Sequence, residues 1–152
     1  MRIAPYTGER EALRDLLELA DEPGPLAVYM QNGEILAAID GATIVGLALI
    51  QESSEPRVAE IKNLSVLLDR QGTGVGRALV DACVAHCRAW GMRRLLVATA
   101  AADVGNLRFY QRVGFRMLRI ERDAFTPAHG YEDGGEIDGI PLRDRVWFDR
   151  IV

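Results

Sequence analysis

Val66-Leu67-Leu68-Asp69-Arg70-Gln71-Gly72-Thr73-Gly74-Val75-Gly76-Arg77-Ala78-Leu79 is the stretch on which the fold turns. It leaves an apolar run, breaks on three glycines at alternate positions, and enters a segment with apolar residues at helical spacing. Alternate glycines let successive backbone N–H groups turn toward one point. A helix that follows at once adds unpaired N–H groups and the positive end of its dipole. Together these favour an anion such as a pyrophosphate; the bland alternative is a tight turn in which glycine only permits the bend. Two familiar anion loops fit poorly. Gly72-x-Gly74-x-Gly76 is not the G-x-G-x-x-G of a dinucleotide fold, and no G-x-x-x-x-G-K-[ST] is present to form a P-loop.

Working outward, the spacing predicts a helix from about Gly74 to Trp90, with Val75, Ala78, Leu79, Ala82, Cys83 and Trp90 as its apolar stripe and Gly91 as its stop. Before the loop, Glu34–Asp40 and Thr43–Glu52 read as strands joined at Asp40-Gly41, and Arg57–Leu68 as a third. The alternation of that third strand slips between Ile61 and Leu64, which is compatible with a bulge. Glu9–Ala20 reads as an amphipathic helix ended by Pro23-Gly24-Pro25. After the main helix, Arg94–Thr99 reads as a buried strand. Asp103 reads as the N-cap of a short helix that stops at Gly114. Phe115–Phe125 and Arg143–Ile151 read as further strands around a Gly-rich acidic stretch, Thr126–Leu142. Hairpins mixed with strand–helix–strand units imply an α+β fold with a partly antiparallel sheet, and nothing divides residues 1–152 into more than one domain.

Composition narrows the class. The 152 residues are 49% hydrophobic and 26% charged, with a formal net charge of -4. That is a globular domain without the cationic surplus of a nucleic-acid binder. No apolar run is long enough to span a membrane, and the start lacks the apolar segment of a signal peptide. Cys83 and Cys87 are the only cysteines, too few for a metal site, so the expectations are a cytoplasmic protein and no bound metal.

The quoted loop resembles the acetyl-CoA signature of the GNAT superfamily of N-acetyltransferases, whose core Q/R-x-x-G-x-G/A is matched by Gln71 to Gly76. A second family segment, N…FY-x-x-x-GF, is similar to Asn106-Leu107-Arg108-Phe109-Tyr110-Gln111-Arg112-Val113-Gly114-Phe115. The resemblance implies a three-layer α/β/α fold with a mixed, mostly antiparallel, centrally splayed sheet into which acetyl-CoA enters. Backbone groups of Leu64, Ser65 and Val66 would pair with the pantetheine arm. The amides of Gln71, Gly72, Thr73, Gly74, Val75, Gly76 and Arg77 would hold the pyrophosphate. Phe109 would lie beside the cofactor. Two departures stand out. Leu68 replaces a usual proline, and Asp103 holds the family asparagine's place seven residues before Tyr110, which leaves the contact open with Asn106 as candidate.

The implied reaction moves an acetyl group from acetyl-CoA to a primary amine by direct attack in a ternary complex. An aliphatic amine with a pKa of roughly 10 must first lose a proton. Its tetrahedral intermediate needs an oxyanion donor, for which a backbone N–H near Leu64 or Ser65 is the candidate. The resemblance makes Tyr110 the acid for the departing thiolate; read alone it is a core aromatic at the end of a short helix. Glu60 is the candidate base on the strand that would line the site, with Glu52 and Glu121 as rivals. His86, on the apolar side of the main helix, and His129, in a Gly-flanked loop, are weaker candidates, and the two cysteines read as core residues. Six carboxylates between Glu121 and Asp138 face one arginine, Arg122, and would draw a cationic acceptor. Other acyl-CoA donors, and a CoA-binding regulatory module without turnover, are the alternatives. A homodimer is a further expectation from the family.

Overall fold

In the computed structural model, which describes residues 1–152, the chain begins with β1 (Arg2–Pro5) and a 3₁₀ turn (Arg10–Leu13) that runs into α1 (Arg14–Leu17). α2 (Pro23–Tyr29), β2 (Glu34–Asp40), β3 (Thr43–Glu52), β4 (Val58–Val66), α3 (Val75–Trp90) and β5 (Arg94–Ala100) follow. The rest is α4 (Val104–Arg112), β6 (Arg116–Glu121), a two-strand ribbon of β7 (Glu136–Ile137) and β8 (Ile140–Pro141), and β9 (Arg145–Ile151). The fold is α+β with a mixed, mostly antiparallel sheet. Two compact units make up the chain, Met1–Leu95 with Val152 and Leu96–Ile151.

The first unit is an antiparallel ladder, β1–β2–β3–β4, with helices on both faces. Gly41, at φ 61°, makes the β2–β3 turn that Asp40-Gly41 predicts. Strand alternation then divides β3. Leu47 and Leu49 pack under α1 and α2 in a cluster with Leu13, Leu17, Leu26, Tyr29 and Met30. Gly46 lies against α3, where an added Cβ would come within 3.1 Å of Leu79 and Val75 and 2.9 Å of the Ser65 carbonyl. The register of β3 on β4 pairs Leu49 with Asn63 and Ile50 with Ile61, so Lys62 is the extra residue of a bulge. This is the slip predicted from the sequence. Its consequence is that Glu60, paired with Gln51, and Asn63, paired with Leu49, share the face beneath α1 and α2 despite their odd spacing. Ile61 and Leu64 take the α3 face.

In the second unit β6 and β9 pair antiparallel, and α4 packs on β6. Tyr110, Phe115 and Phe148 form its aromatic centre, with ring centroids 5.7 Å apart from Tyr110 to each of the other two.

Several expectations need correction. The helix predicted over Glu9–Ala20 is a 3₁₀ turn and one α turn, Arg10–Leu17. Pro23-Gly24-Pro25 does not only break structure: it opens α2, because a proline in a first helical turn gives up an N–H that has no partner there. β1 went unpredicted, being four residues that end on Pro5. The third strand stops at Val66, and the strands predicted over Phe115–Phe125 and Arg143–Ile151 shorten to Arg116–Glu121 and Arg145–Ile151. The buried stripe of α3 is Val75, Leu79, Val80, Cys83, Val84 and Cys87. Trp90 is on the surface, edge-on to His86, because the helix ends there at Gly91 in the left-handed region.

Candidate functional site

The residues predicted to bind and react fall in both units. In the first, β4 runs through Leu67 into a 3₁₀ turn (Leu68–Arg70) and the glycine loop. Arg70 pairs with Asp40 of the β2–β3 turn at 2.7 Å, which holds the Asp40 carboxyl below its usual range. The Gln71 amide donates to the Val66 carbonyl at 3.2 Å, and the Thr73 hydroxyl donates to the Arg70 carbonyl. These bonds turn the loop's polar side chains back onto its own backbone. Gly72 (φ 75°) and Gly74 (φ 93°) are both left-handed, and a Cβ on either would meet no protein atom within 4 Å. Gly74 is also the N-cap of the 16-residue α3 and provides no side-chain cap. The loop therefore presents the uncapped positive end of a long helix to open space, which fits a diphosphate.

The face of β4 beneath α1 and α2 carries a buried polar chain. Asn63 and Ser65 are each 3% exposed. The Ser65 hydroxyl donates to Asn63 Oδ1 at 2.6 Å. Asn63 Nδ2 donates to the Leu17 carbonyl at 3.0 Å and to the Tyr29 hydroxyl at 3.1 Å. Tyr29 in turn donates to Asp21 Oδ2 at 3.0 Å. One asparagine thus ties the end of α1 and the end of α2 to the bulged strand. Beside it, Lys62 Nζ stands 3.4 Å from Glu60 Oε2 and 5.4 Å from the centroid of the Tyr29 ring. Leu64, Ser65 and Val66 continue the strand toward the glycine loop. Sequence reasoning missed Asn63, Tyr29 and Asp21. The available signal was an Asn and a Ser two apart in a strand whose other buried members are apolar.

In the second unit, Asp103 caps α4 by accepting from the Asn106 N–H at 3.0 Å, as predicted. The Asn106 side-chain amide donates to Thr99 Oγ1 on β5 at 3.1 Å, which ties the helix to that strand. Phe109 is half-buried and edge-on to Tyr110 at 5.2 Å. Tyr110 itself is 5% exposed, packed as a core aromatic. Of the rival bases, Glu52 is exposed at the end of β3. Glu121 is occupied: the Trp147 indole donates to it at 2.9 Å and Arg145 at 3.4 Å. The indole first, then the guanidinium, hold its carboxyl below the usual range and make it a poor proton acceptor. His129 is exposed and bonded to Thr126 at 3.0 Å. Cys83 and Cys87 are buried and unbridged, and burial pushes the Cys87 thiol up to about 11. No group of three or more His, Cys, Asp or Glu could hold a metal ion, and no helix is long and apolar enough to cross a membrane.

The family model described as Acetyltransferase (GNAT) family matches residues 3–115. An uncharacterized N-acetyltransferase of Bacillus subtilis, YvbK, is 31% identical over 137 residues, 90% of this chain and 86% of that protein. A Bacillus subtilis acetyltransferase solved in complex with CoA superposes with a TM-score of 0.89 at 28% identity, covering 99% of this chain and 98% of that one. A GNAT family acetyltransferase from Elizabethkingia anophelis with acetyl-CoA bound superposes with a TM-score of 0.90 at 26% identity, covering 99% of this chain and 97% of the other.

Proposed function

The chain belongs to the GNAT family of acetyltransferases, and on that premise we propose that it is a single catalytic unit, residues 1–152, moving an acetyl group from acetyl-CoA to a primary amine by direct attack in a ternary complex. The observation that carries this reading is the glycine loop. Gly72 and Gly74 stand open at the uncapped start of α3, and the similar proteins of Bacillus subtilis and Elizabethkingia anophelis hold CoA and acetyl-CoA. Backbone amides from Gln71 to Arg77 bind the pyrophosphate, and the backbone of Leu64 to Val66 pairs with the pantetheine arm. Asn106 and Phe109 support the cofactor from α4.

Glu60 takes the amine's proton. It is half-buried on the β4 face that also bears Asn63 and pairs with Lys62 at 3.4 Å, while the indole of Trp147 and the guanidinium of Arg145 hold the Glu121 carboxyl below its usual range. A backbone N–H at Leu64 or Ser65 meets the oxyanion. The buried Ser65–Asn63 bond keeps that part of the strand from shifting as charge develops. Tyr110 protonates the departing thiolate; its packing against Phe115 and Phe148 fixes the ring so that the hydroxyl needs no reorganisation. The acidic residues Glu132, Asp133, Glu136 and Asp138 are largely exposed and raise the local concentration of a cationic amine, a small molecule or a protein amino group. Unbridged thiols suit a reducing compartment, the cytoplasm.

The test is incubation with acetyl-CoA and a panel of primary amines, with products identified by mass. N-acetylated product supports the reading. CoA binding without turnover of any amine favours a regulatory module, and no CoA binding refutes it.

A further inference from the structure

Among 18 Lys and Arg residues in this chain, Lys62 is the only lysine. A guanidinium stays protonated and cannot act as a nucleophile, whereas an ammonium can lose its proton and become one. The only side-chain primary amine, and so the only side chain able to form a stable acetyl amide, therefore stands on β4, at the bulge. Its Nζ lies 3.4 Å from the Glu60 carboxylate and 5.4 Å from the Tyr29 ring centroid. Its side chain keeps 31% of its surface exposed, so it can move. Leu64, where the proposed function puts the acyl end of the pantetheine arm, is two residues further along the strand, a rise of about 6.6 Å. A four-carbon stem spans that distance.

We propose that Lys62 is an internal acetyl acceptor, modified by the protein itself, an inference that rests on the acetyltransferase reading. Glu60 takes a proton from the Lys62 ammonium. The freed lone pair on Nζ attacks the thioester carbonyl carbon, an N–C bond forms, and the C–S bond breaks with its electron pair going to sulfur. The thiolate is then protonated, so the products are an acetyl-lysine, free CoA thiol and one released proton. The amide carries no charge, so modification dissolves both the Glu60 ion pair and the cation–π contact with Tyr29.

Unmodified protein incubated with acetyl-CoA and no added amine is followed by intact mass and peptide mapping. The expected result is a gain of one acetyl group at Lys62, at a first-order rate independent of protein concentration. Lys62→Arg keeps the charge and abolishes the gain, and Glu60→Gln slows it at least about tenfold. Three results overturn the proposal: no gain under conditions where added amines are acetylated, a rate that rises with protein concentration, or a rate untouched by Glu60→Gln. The first leaves the acetyltransferase reading standing. Absence of both self-modification and amine turnover overturns the two together.

Discussion

Gly74 and Gly91 form a matched pair at opposite ends of α3. Both are left-handed, at φ 93° and 83°, and at both a Cβ would meet no protein atom within 4 Å. Replacing either by Ala costs about 1–2 kcal/mol in backbone strain with no steric penalty added. Gly74→Ala and Gly91→Ala should therefore lose about the same stability, a fall in thermal midpoint of roughly 2–8 °C for a domain of this size. They should differ in one respect only. At Gly74 the new methyl projects into the open space over the loop, where the account puts a diphosphate. Losing one charge-assisted hydrogen bond there costs about 1.5–3 kcal/mol, roughly a ten- to hundredfold rise in Kd. Calorimetric titration of wild type and both variants with acetyl-CoA, with melting curves on the same samples, separates the two effects. Equal Kd values for the two variants would refute the role given to the loop, whatever their stabilities.

Further outcomes follow from the same geometry. Asn63→Ala takes the acceptor from the buried Ser65 hydroxyl and removes one of the two donors to the Leu17 carbonyl, the Ala20 N–H remaining, and should cost about 2–4 kcal/mol in denaturant unfolding, well above a surface change. Tyr110→Phe keeps the ring contacts with Phe115 and Phe148, so it should lower kcat by about a hundredfold in amine turnover while leaving acetyl-CoA affinity unchanged. Neutralising Glu132, Asp133, Glu136 and Asp138 together should raise KM for cationic amines and spare the Kd of acetyl-CoA; an unchanged KM removes the acceptor role of that stretch. The Glu121 carboxyl sits below its ordinary range in the fold, so its contribution to stability is present above about pH 4.3 and is lost as pH falls through the folded-state value. Glu121→Gln should accordingly flatten the loss of stability between about pH 5 and pH 3.

Much of this architecture is local and was readable from the chain. The β2–β3 hairpin, the extent of α3, the Asp103 cap and the slip between Ile61 and Leu64 each follow from periodicity or turn chemistry within a dozen residues. What escaped is set by tertiary partners. α2 opens on Pro-Gly-Pro, a breaker by local rules, and forms because Leu26, Tyr29 and Met30 bury against Leu47 and Leu49. Asn63 reads as a polar intruder in a strand until the Leu17 carbonyl and the Tyr29 hydroxyl, 46 and 34 residues away, supply its bonds. Trp90 shows the reverse: helical spacing put it on the buried stripe, but the stripe ends at Cys87. The glycine loop was legible because the role proposed for it rests on backbone amides, and glycines mark where backbone is bare. Lys62 was not, because only the fold shows an ammonium beside a carboxylate and an aromatic face.

The most direct test of the central claim is a matrix of initial rates in which acetyl-CoA and a primary amine are both varied and CoA thiol release is measured against amide formed. Direct attack in a ternary complex requires amine-dependent release with one thiol per amide, and double-reciprocal lines that intersect. Thiol release that no amine accelerates would contradict it, and parallel lines would replace direct attack with an acetylated intermediate.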